Sequence, residues 1–546
     1  MNAADRWNVY PAAGDIEKYR AAGLWRNATL ADDAERAAAE TPDLVLWREG
    51  ERSLTAAEAL AQAKTLAGHL MELGVKPGDV VSFQLPNWLE AVVINLACIF
   101  TGAVINPVVP IYRGQELRSI LTDSGSKVIF IPAQFRSVNH AALLVELRAE
   151  LPRLEHIIVV RGGALDGMTT YETLMATPAP RQDFPPRDPA MPKFLMYTSG
   201  TTGRAKGVLH SHETNAEALM ACARYWGLKA GDRVLMPSPV THVTGFTYGL
   251  EWPLLWGTTT ILMDRWDADE AVRIIDSEGV AFTISATPFL VELLAAAERA
   301  GTRLPSLRVF GCGGAAVPPE VIHRANTQLA HACAFRIYGS TEAPVVTLGY
   351  LGRGNMQAAA ETDGRIVGYD VRIVDDQGHD LPDGQDGEIW VRGPTLFLGY
   401  SHPDDRGFSL NEQGYFEMGD IGRKVADEGL LITGRKKDII IRGGENISAK
   451  EVEDLLHRHP AVREAAVVSM PHGRLGEGVC AYIIPASGAC PEVSEISAYL
   501  DKLGLARQKF PEVLICVDDF PRTTSGKIRK DQLRADIRTR LETGKE

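Results

Sequence analysis

Short apolar runs that alternate with helix-length stretches constrain this chain more than any other feature. The first clear unit is Val80-Val81-Ser82-Phe83, then a stretch opening at Asn87, then Ala103-Val104-Ile105. Asn87, with Glu90 three residues later, reads as a helix cap with a capping-box partner. The run from Trp88 to Tyr112 is apolar enough to suggest a membrane span. Glu90, Asn95 and Asn106 interrupt it, and Gly102 and Pro107 divide it. Neither half reaches the roughly 20 apolar residues that a span requires. The alternation continues with strand patterns at Lys127 to Ile131, Thr258 to Met263, Ala281 to Ser285 and Arg308 to Phe310, and a helical pattern from Phe289 to Arg299. Strands alternating with helices predict an α/β fold with parallel sheets covered on both faces.

At 546 residues the chain exceeds what one core supports, so more than one domain is expected. The texture changes after Asp363. Short β runs at Ile366-Val367, Val371 to Val374 and Glu388 to Val391 are split by Asp375-Asp376-Gln377-Gly378 and Pro382-Asp383-Gly384, which suggests a small β-barrel-like subdomain over about 363–433. Past Gly434 come Ile439-Ile440-Ile441, a helix from Ala449 to His457, the strand Ala465 to Val468 and a basic final helix. The expected division is a large N-terminal domain, 1–436, with two βαβ-type sheets, and a small mobile α+β domain, 437–546.

A net charge of −13 argues against nonspecific nucleic-acid binding. Seven scattered cysteines without a CxxC pair read as neither a disulfide framework nor a zinc site. With no signal-peptide pattern at the N-terminus, the expected location is cytoplasmic.

The segment from Thr198 to Gly207, TSGTTGRAKG, has the chemistry of a polyphosphate-gripping loop. Glycines let backbone N–H groups approach anionic oxygens, hydroxyls add donors and Lys206 adds charge. It is not a Walker loop, because Lys206 precedes Gly207 rather than Ser or Thr. An ordinary Gly/Thr turn between two strands fits the same residues.

Four further segments accompany it: Tyr338-Gly339-Ser340-Thr341-Glu342, Gly419-Asp420, Gly434-Arg435-Lys436-Lys437-Asp438 and Pro521-Arg522-Thr523-Thr524-Ser525-Gly526-Lys527. In this order the five resemble the signatures of the adenylate-forming superfamily of acyl-CoA synthetases, firefly luciferase and peptide-synthetase adenylation domains. Two positions depart from the family pattern. Ala205 stands where proline is usual, and Met418 replaces the common threonine before Gly419.

The resemblance implies that a carboxylate and ATP give an acyl-adenylate and pyrophosphate, and that the acyl group then passes to a thiol. It places Thr198, Ser199, Gly200, Thr201, Thr202, Gly203 and Lys206 on ATP, joined by Gly313, Gly314, Ala315, Tyr338, Gly339, Ser340 and Thr341. Glu342 would hold Mg²⁺, Asp420 would accept the ribose hydroxyls and Arg435 would reach the ribose. Lys527 would be the catalytic cation of the first half-reaction. Lys437 would be the hinge for the second, and Gly443 and Gly444 would line a tunnel for coenzyme A. The Lys527 loop is also similar to loops modified by a lysine acetyltransferase, and a homodimer is an expected assembly.

For the acid, the resemblance points to His242 near the carboxylate and to Phe246, Gly313 and Ala316 as pocket lining. No aspartate lies between Val234 and Leu250 to hold an amino group, which argues against an amino-acid substrate. The expectation is a medium-chain or alicyclic acid. An aryl-CoA ligase, a luciferase-like enzyme and a carrier-protein-loading enzyme are the alternatives.

Overall fold

The computed structural model describes residues 6–7, 9, 11–198, 205–314, 317–408, 410–443, 445–486, 488–523 and 526–543. They form two units. The first comprises Met1–Ala360, Gly364–Asp370 and Arg392–Phe416; the second comprises Glu361–Asp363, Val371–Val391 and Glu417–Glu546.

The alternating runs of the first unit build two sheets. One has the order Cys333–Arg336, Val309–Cys312, Phe282–Ser285, Arg233–Met236, Thr259–Leu262, Val45–Glu49, Arg52–Thr55. All its pairings are parallel except the last, a hairpin. The other has the order Gly399–Tyr400, Lys206–Ser211, Pro192–Thr198, Val104–Pro107, Val80–Phe83, Ser126–Pro132, His156–Val160, Thr169–Thr170. Here the two strands on either side of the glycine-rich loop run antiparallel to each other. The sheets are therefore mixed rather than purely parallel.

Every residue of the helix Leu89–Thr101 is buried. It packs on Val45–Glu49 of one sheet and on Val80–Phe83 and Val104–Pro107 of the other. A helix buried on every side is a core element, which accounts for the run that resembled a membrane span. Among the described residues no helix is long and apolar enough to cross a membrane.

Asn87 does not cap that helix; the N-cap position is Trp88 and no side chain caps it. The Asn87 amide donates to the carbonyls of Met236 (3.2 Å) and Ser238 (2.9 Å), and its oxygen accepts from the Val240 N–H (2.8 Å). Glu90 is taken by Arg161 and Arg52. Buried backbone groups far away in sequence outbid the local cap.

In the second unit, the region expected to close into a β-barrel is an open four-stranded sheet in the order Asp370–Val374, Gly387–Arg392, Phe416–Val425, Gly429–Arg435. Four strands cannot enclose an interior that side chains fill, so the edges stay apart. The pair Ile366-Val367 forms no strand, only a bridge from Ile366 to Thr347. The C-terminal sheet runs Glu445–Ser448, Ile439–Arg442, Gly476–Pro485, Val462–His472, with Val513–Cys516 added alongside Gly476–Pro485. The unit thus extends across the boundary expected at 436/437. Ser448 donates to the Thr433 carbonyl and Lys436 pairs with Glu388 at 2.8 Å.

The cysteine reading is also corrected. Cys490 and Cys516 form a disulfide with their Cα atoms 5.9 Å apart, while Cys98, Cys222, Cys312, Cys333 and Cys480 are free. The strand Val513–Cys516 brings the pair together across a separation that carries no spacing signal.

Candidate active site

Thr198 ends one strand and Lys206 opens the next, and the two are register partners. The described ends of the glycine-rich loop are thus fixed to each other, with the Thr198 hydroxyl donating to the Lys206 carbonyl at 3.4 Å. Ser199, Gly200, Thr201, Thr202 and Gly203 lie outside the described residues. Next to Thr198, Tyr197 donates its hydroxyl to Asp123 Oδ2 at 2.5 Å, and Ser401 Oγ donates to the same oxygen at 3.0 Å.

A second arm of the site leaves the carboxyl ends of two adjacent parallel strands, where Cys312 is the register partner of Arg336. Open α/β sheets bind ligands in the crevice at such ends. Gly313 and Gly314 continue one strand, and Tyr338-Gly339-Ser340-Thr341-Glu342 continues the other. A side chain on Gly313 would meet Ile337 Cγ1 at 2.6 Å, and one on Gly339 would meet Val345 N at 2.6 Å and Ala343 O at 2.9 Å. The Tyr338 N–H donates to Thr347 Oγ1 (2.8 Å) and the Ser340 N–H to Ala343 O (3.0 Å), which folds the turn back on itself. Ala315 and Ala316 lie outside the described residues.

Three residues that the sequence reading passed over organise these arms. Tyr400 donates its hydroxyl to Glu342 Oε1 at 2.9 Å. Its ring lies 4.9 Å from the Lys206 ammonium, which also pairs with Asp405 at 3.7 Å. His210 contacts the Thr341 carbonyl through Nε2 at 2.7 Å and the Thr214 hydroxyl through Nδ1 at 3.1 Å. Burial lowers its pKa to about 4, so it is neutral, with Nε2–H donating to the carbonyl and Nδ1 accepting. Tyr400, on a two-residue edge strand, and Asp405 stand in sequence without motif spacing; His210 reads as an ordinary strand residue.

His242 is half-buried, and its carbonyl accepts from the Phe246 N–H at 2.8 Å. Asn87 ties down the segment just before it. Phe246, expected to line a pocket, is fully buried on the π-helix Gly245–Gly249, its ring 5.1 Å from that of Phe194. It therefore presents no surface to a ligand in this arrangement. Beside it Lys193 is paired with Glu251, whose carboxylate also accepts from Asn215 (2.5 Å) and Asn95 (3.2 Å).

The second unit carries the remaining candidates. Asp420 and Arg435 are register partners on neighbouring strands, joined at 2.8 Å from Arg435 Nε to Asp420 Oδ1. The carboxylate is buried and the guanidinium half-exposed, which fits a buried acceptor with an exposed cation over it. Lys437 is exposed on the turn Lys436–Asp438. Gly443 has φ +62° in the turn after Ile439–Arg442, and its N–H donates to Leu475 O at 2.8 Å. Gly444 lies outside the described residues. Lys527 is exposed; its N–H donates to Thr523 Oγ1 at 3.1 Å, and its carbonyl accepts from the Thr523 N–H at 2.7 Å.

Among the described residues no group of three or more His, Cys, Asp or Glu could hold a metal ion. Glu342 by itself fits Mg²⁺, which is commonly bound through one or two carboxylates and completes its shell with substrate phosphates and water.

Residues 34–401 match the family model for the AMP-binding enzyme and residues 451–527 that for the AMP-binding enzyme C-terminal domain. The chain belongs to the AMP-binding family of adenylate-forming enzymes. It is 35% identical over 533 residues to the medium-chain fatty-acid–CoA ligase of Escherichia coli (strain K12), covering 96% of this chain and 93% of that one. It is 32% identical over 514 residues to the indoleacetate–CoA ligase of Aromatoleum aromaticum, covering 92% and 97%. Among solved structures, ATP-bound MatB from Rhodopseudomonas palustris matches with a TM-score of 0.82 and 26% identity, covering 94% and 99%. An anthranilate CoA ligase in complex with anthranoyl-AMP matches with a TM-score of 0.85 at 23% identity, covering 95% and 98%, and shares the fold. By enzyme class this is an AMP-forming acid–thiol ligase, and CoA ligases of this family use ATP, Mg²⁺ and coenzyme A.

Proposed function

We propose that the protein is an acyl-CoA synthetase that activates, in the cytoplasm, a medium-chain or alicyclic carboxylate whose acyl group carries no other charge. In the first step a carboxylate oxygen attacks the α-phosphorus of ATP, the bond to pyrophosphate breaks and acyl-AMP forms. In the second the thiol sulfur of CoA attacks the acyl carbonyl, the bond to AMP breaks, and the thiol proton is lost to solvent.

The observation that carries this reading is the pairing of Lys206, Tyr400 and Glu342 in a chain matching both family models. Lys206 would bind phosphate oxygens, and Glu342 would hold Mg²⁺, whose charge neutralises phosphate oxygens when bound. Thr341, on the turn braced by His210, would donate to the α-phosphate. Gly313, Gly314, Ala315, Tyr338, Gly339 and Ser340 would form the nucleotide wall, and Asp420 and Arg435 would take the ribose. Lys527 would bring its charge to the attacking carboxylate and the α-phosphate, offsetting the repulsion between two anions. Lys437 would be the hinge between the two steps and Gly443-Gly444 the route for the pantetheine arm. His242 would face the acid carboxylate, with Gly313 and Ala316 beside the acyl chain. A homodimer and acetylation of Lys527 by a lysine acetyltransferase belong to the same reading.

The medium-chain relative supports the acid class. The indoleacetate relative supports an aryl acid as the second reading. A panel of straight-chain, alicyclic and aromatic acids, scored by CoA-dependent AMP release, tests both. Preference for aromatic acids would replace the first with the second, and adenylation without CoA transfer would replace both with a carrier-loading or luciferase-like activity.

A further inference from the structure

We infer that Tyr400 is the positioning residue of the nucleotide site, holding the metal-binding carboxylate and the phosphate-binding lysine with one side chain. The inference rests on the proposed function and concerns a residue outside the sequence motifs.

Gly399–Tyr400 is a short edge strand paired antiparallel with Lys206–Ser211, with Tyr400 opposite Val208 and Gly399 opposite Leu209. Side chains on one strand share a face every second residue. Lys206 and Val208 therefore share a face, and Tyr400 joins it from across the ladder as a diagonal neighbour of Lys206. That register lays the phenol ring under the ammonium. Hydrogen bonds on both sides fix the register: the Leu398 N–H donates to Leu209 O (2.7 Å) and the Ser401 N–H to Gly207 O (2.8 Å). Ser401, next along, points to the opposite face and is held by Asp123. The strand is thereby pinned from both faces.

The same segment grips Glu342 twice. The Phe397 N–H donates to the Glu342 carbonyl (2.9 Å) and the Tyr400 hydroxyl to its carboxylate. Tyr400 is 4% exposed, so its hydroxyl is shielded from water and directed at the Glu342 carboxylate. A carboxylate offers about four lone-pair sites; one accepted hydrogen bond orients the group and leaves the rest for a cation. Tyr400 touches neither phosphate nor metal in this role and acts through Glu342 and Lys206.

The test measures ATP binding by calorimetry without acid substrate, at increasing Mg²⁺ and with EDTA. Tyr400→Phe keeps the ring and removes the donor. It should reduce the Mg²⁺-dependent gain in ATP affinity roughly tenfold, the scale of lost outer-shell ligands, with binding in EDTA and Tm unchanged. Tyr400→Leu should additionally weaken binding in EDTA, because Lys206 loses its platform. Adding Tyr400→Phe to Glu342→Gln should cost nothing further, since both changes act on one carboxylate. A wild-type metal response in Tyr400→Phe would overturn the inference, as would equal losses with and without Mg²⁺ together with a lowered Tm. Wild-type protein that binds no Mg·ATP would instead remove the proposed function, and the positioning role with it.

Discussion

Lys527 is exposed, and its backbone is held by Thr523. Its proposed role concerns one transition state only, so Lys527→Ala should slow acyl-adenylate formation by roughly two to four orders of magnitude while thioester formation from supplied acyl-AMP persists. Measuring the half-reactions separately checks this, and equal loss in both would contradict the role. Gly339 makes a structural claim at the same scale. A methyl group there would sit 2.6 Å from Val345 N and 2.9 Å from Ala343 O, both backbone atoms that cannot swing aside. Gly339→Ala should cost roughly 1–3 kcal/mol by overpacking and should weaken ATP binding with it. A variant of wild-type Tm and ATP affinity would show that the turn is looser than these contacts imply.

Two buried neutral imidazoles lower the stability of the first unit in acid. His210 joins the strand Lys206–Ser211 to the Thr341 turn, and His140 pairs with Gln84 at 3.1 Å; burial depresses both to about 4. Each unfolded histidine titrates near 6.5, so unfolding takes up a proton below that pH. Stability is full above about 6.5 and falls as pH drops towards about 4, by up to about 3 kcal/mol per group. Burial raises Glu217 to about 7 and works in the opposite direction, so the informative comparison is His210→Gln against wild type. The variant's Tm should decline less between pH 6.5 and 4.5; identical declines would remove His210 from the account. The same elements show what the sequence could express. The glycine-rich loop, the Tyr338–Glu342 turn and the Lys527 loop can be picked out of the sequence because their residue types and spacing are local, and with them the family. Asn87 looked like a cap because Asn–x–x–Glu is a local pattern, and its partners at Met236, Ser238 and Val240 are visible only after folding. Tyr400 was missed for the same reason, since its importance comes from strand register. The β-barrel expectation failed because turn spacing counts strands but does not say whether edge strands meet.

At the scale of the whole molecule, the Cys490–Cys516 link closes a loop of modest length in the second unit. Constraining such a loop is worth about 3 kcal/mol in the chain-entropy picture. Denatured, unreduced protein should titrate with five thiols and reduced protein with seven, and reduction should lower the Tm of the second unit. Seven thiols without reductant would return the cysteines to the reading drawn from their spacing. The second unit is also discontinuous, assembled from 361–363, 371–391 and 417–546. A cut at 436/437 would leave the four-stranded sheet without the Ser448–Thr433 bond, so the 1–436 fragment should be less stable, by thermal unfolding, than the same region in the full chain. During synthesis at roughly 5–20 residues per second, the strands Asp370–Val374 and Gly387–Arg392 wait on the order of one to several seconds for Phe416–Val425 and Gly429–Arg435. Their exposed edges are open to the wrong neighbours for that interval, which makes the ribosome-bound chain, rather than the finished enzyme, the form most in need of protection from aggregation.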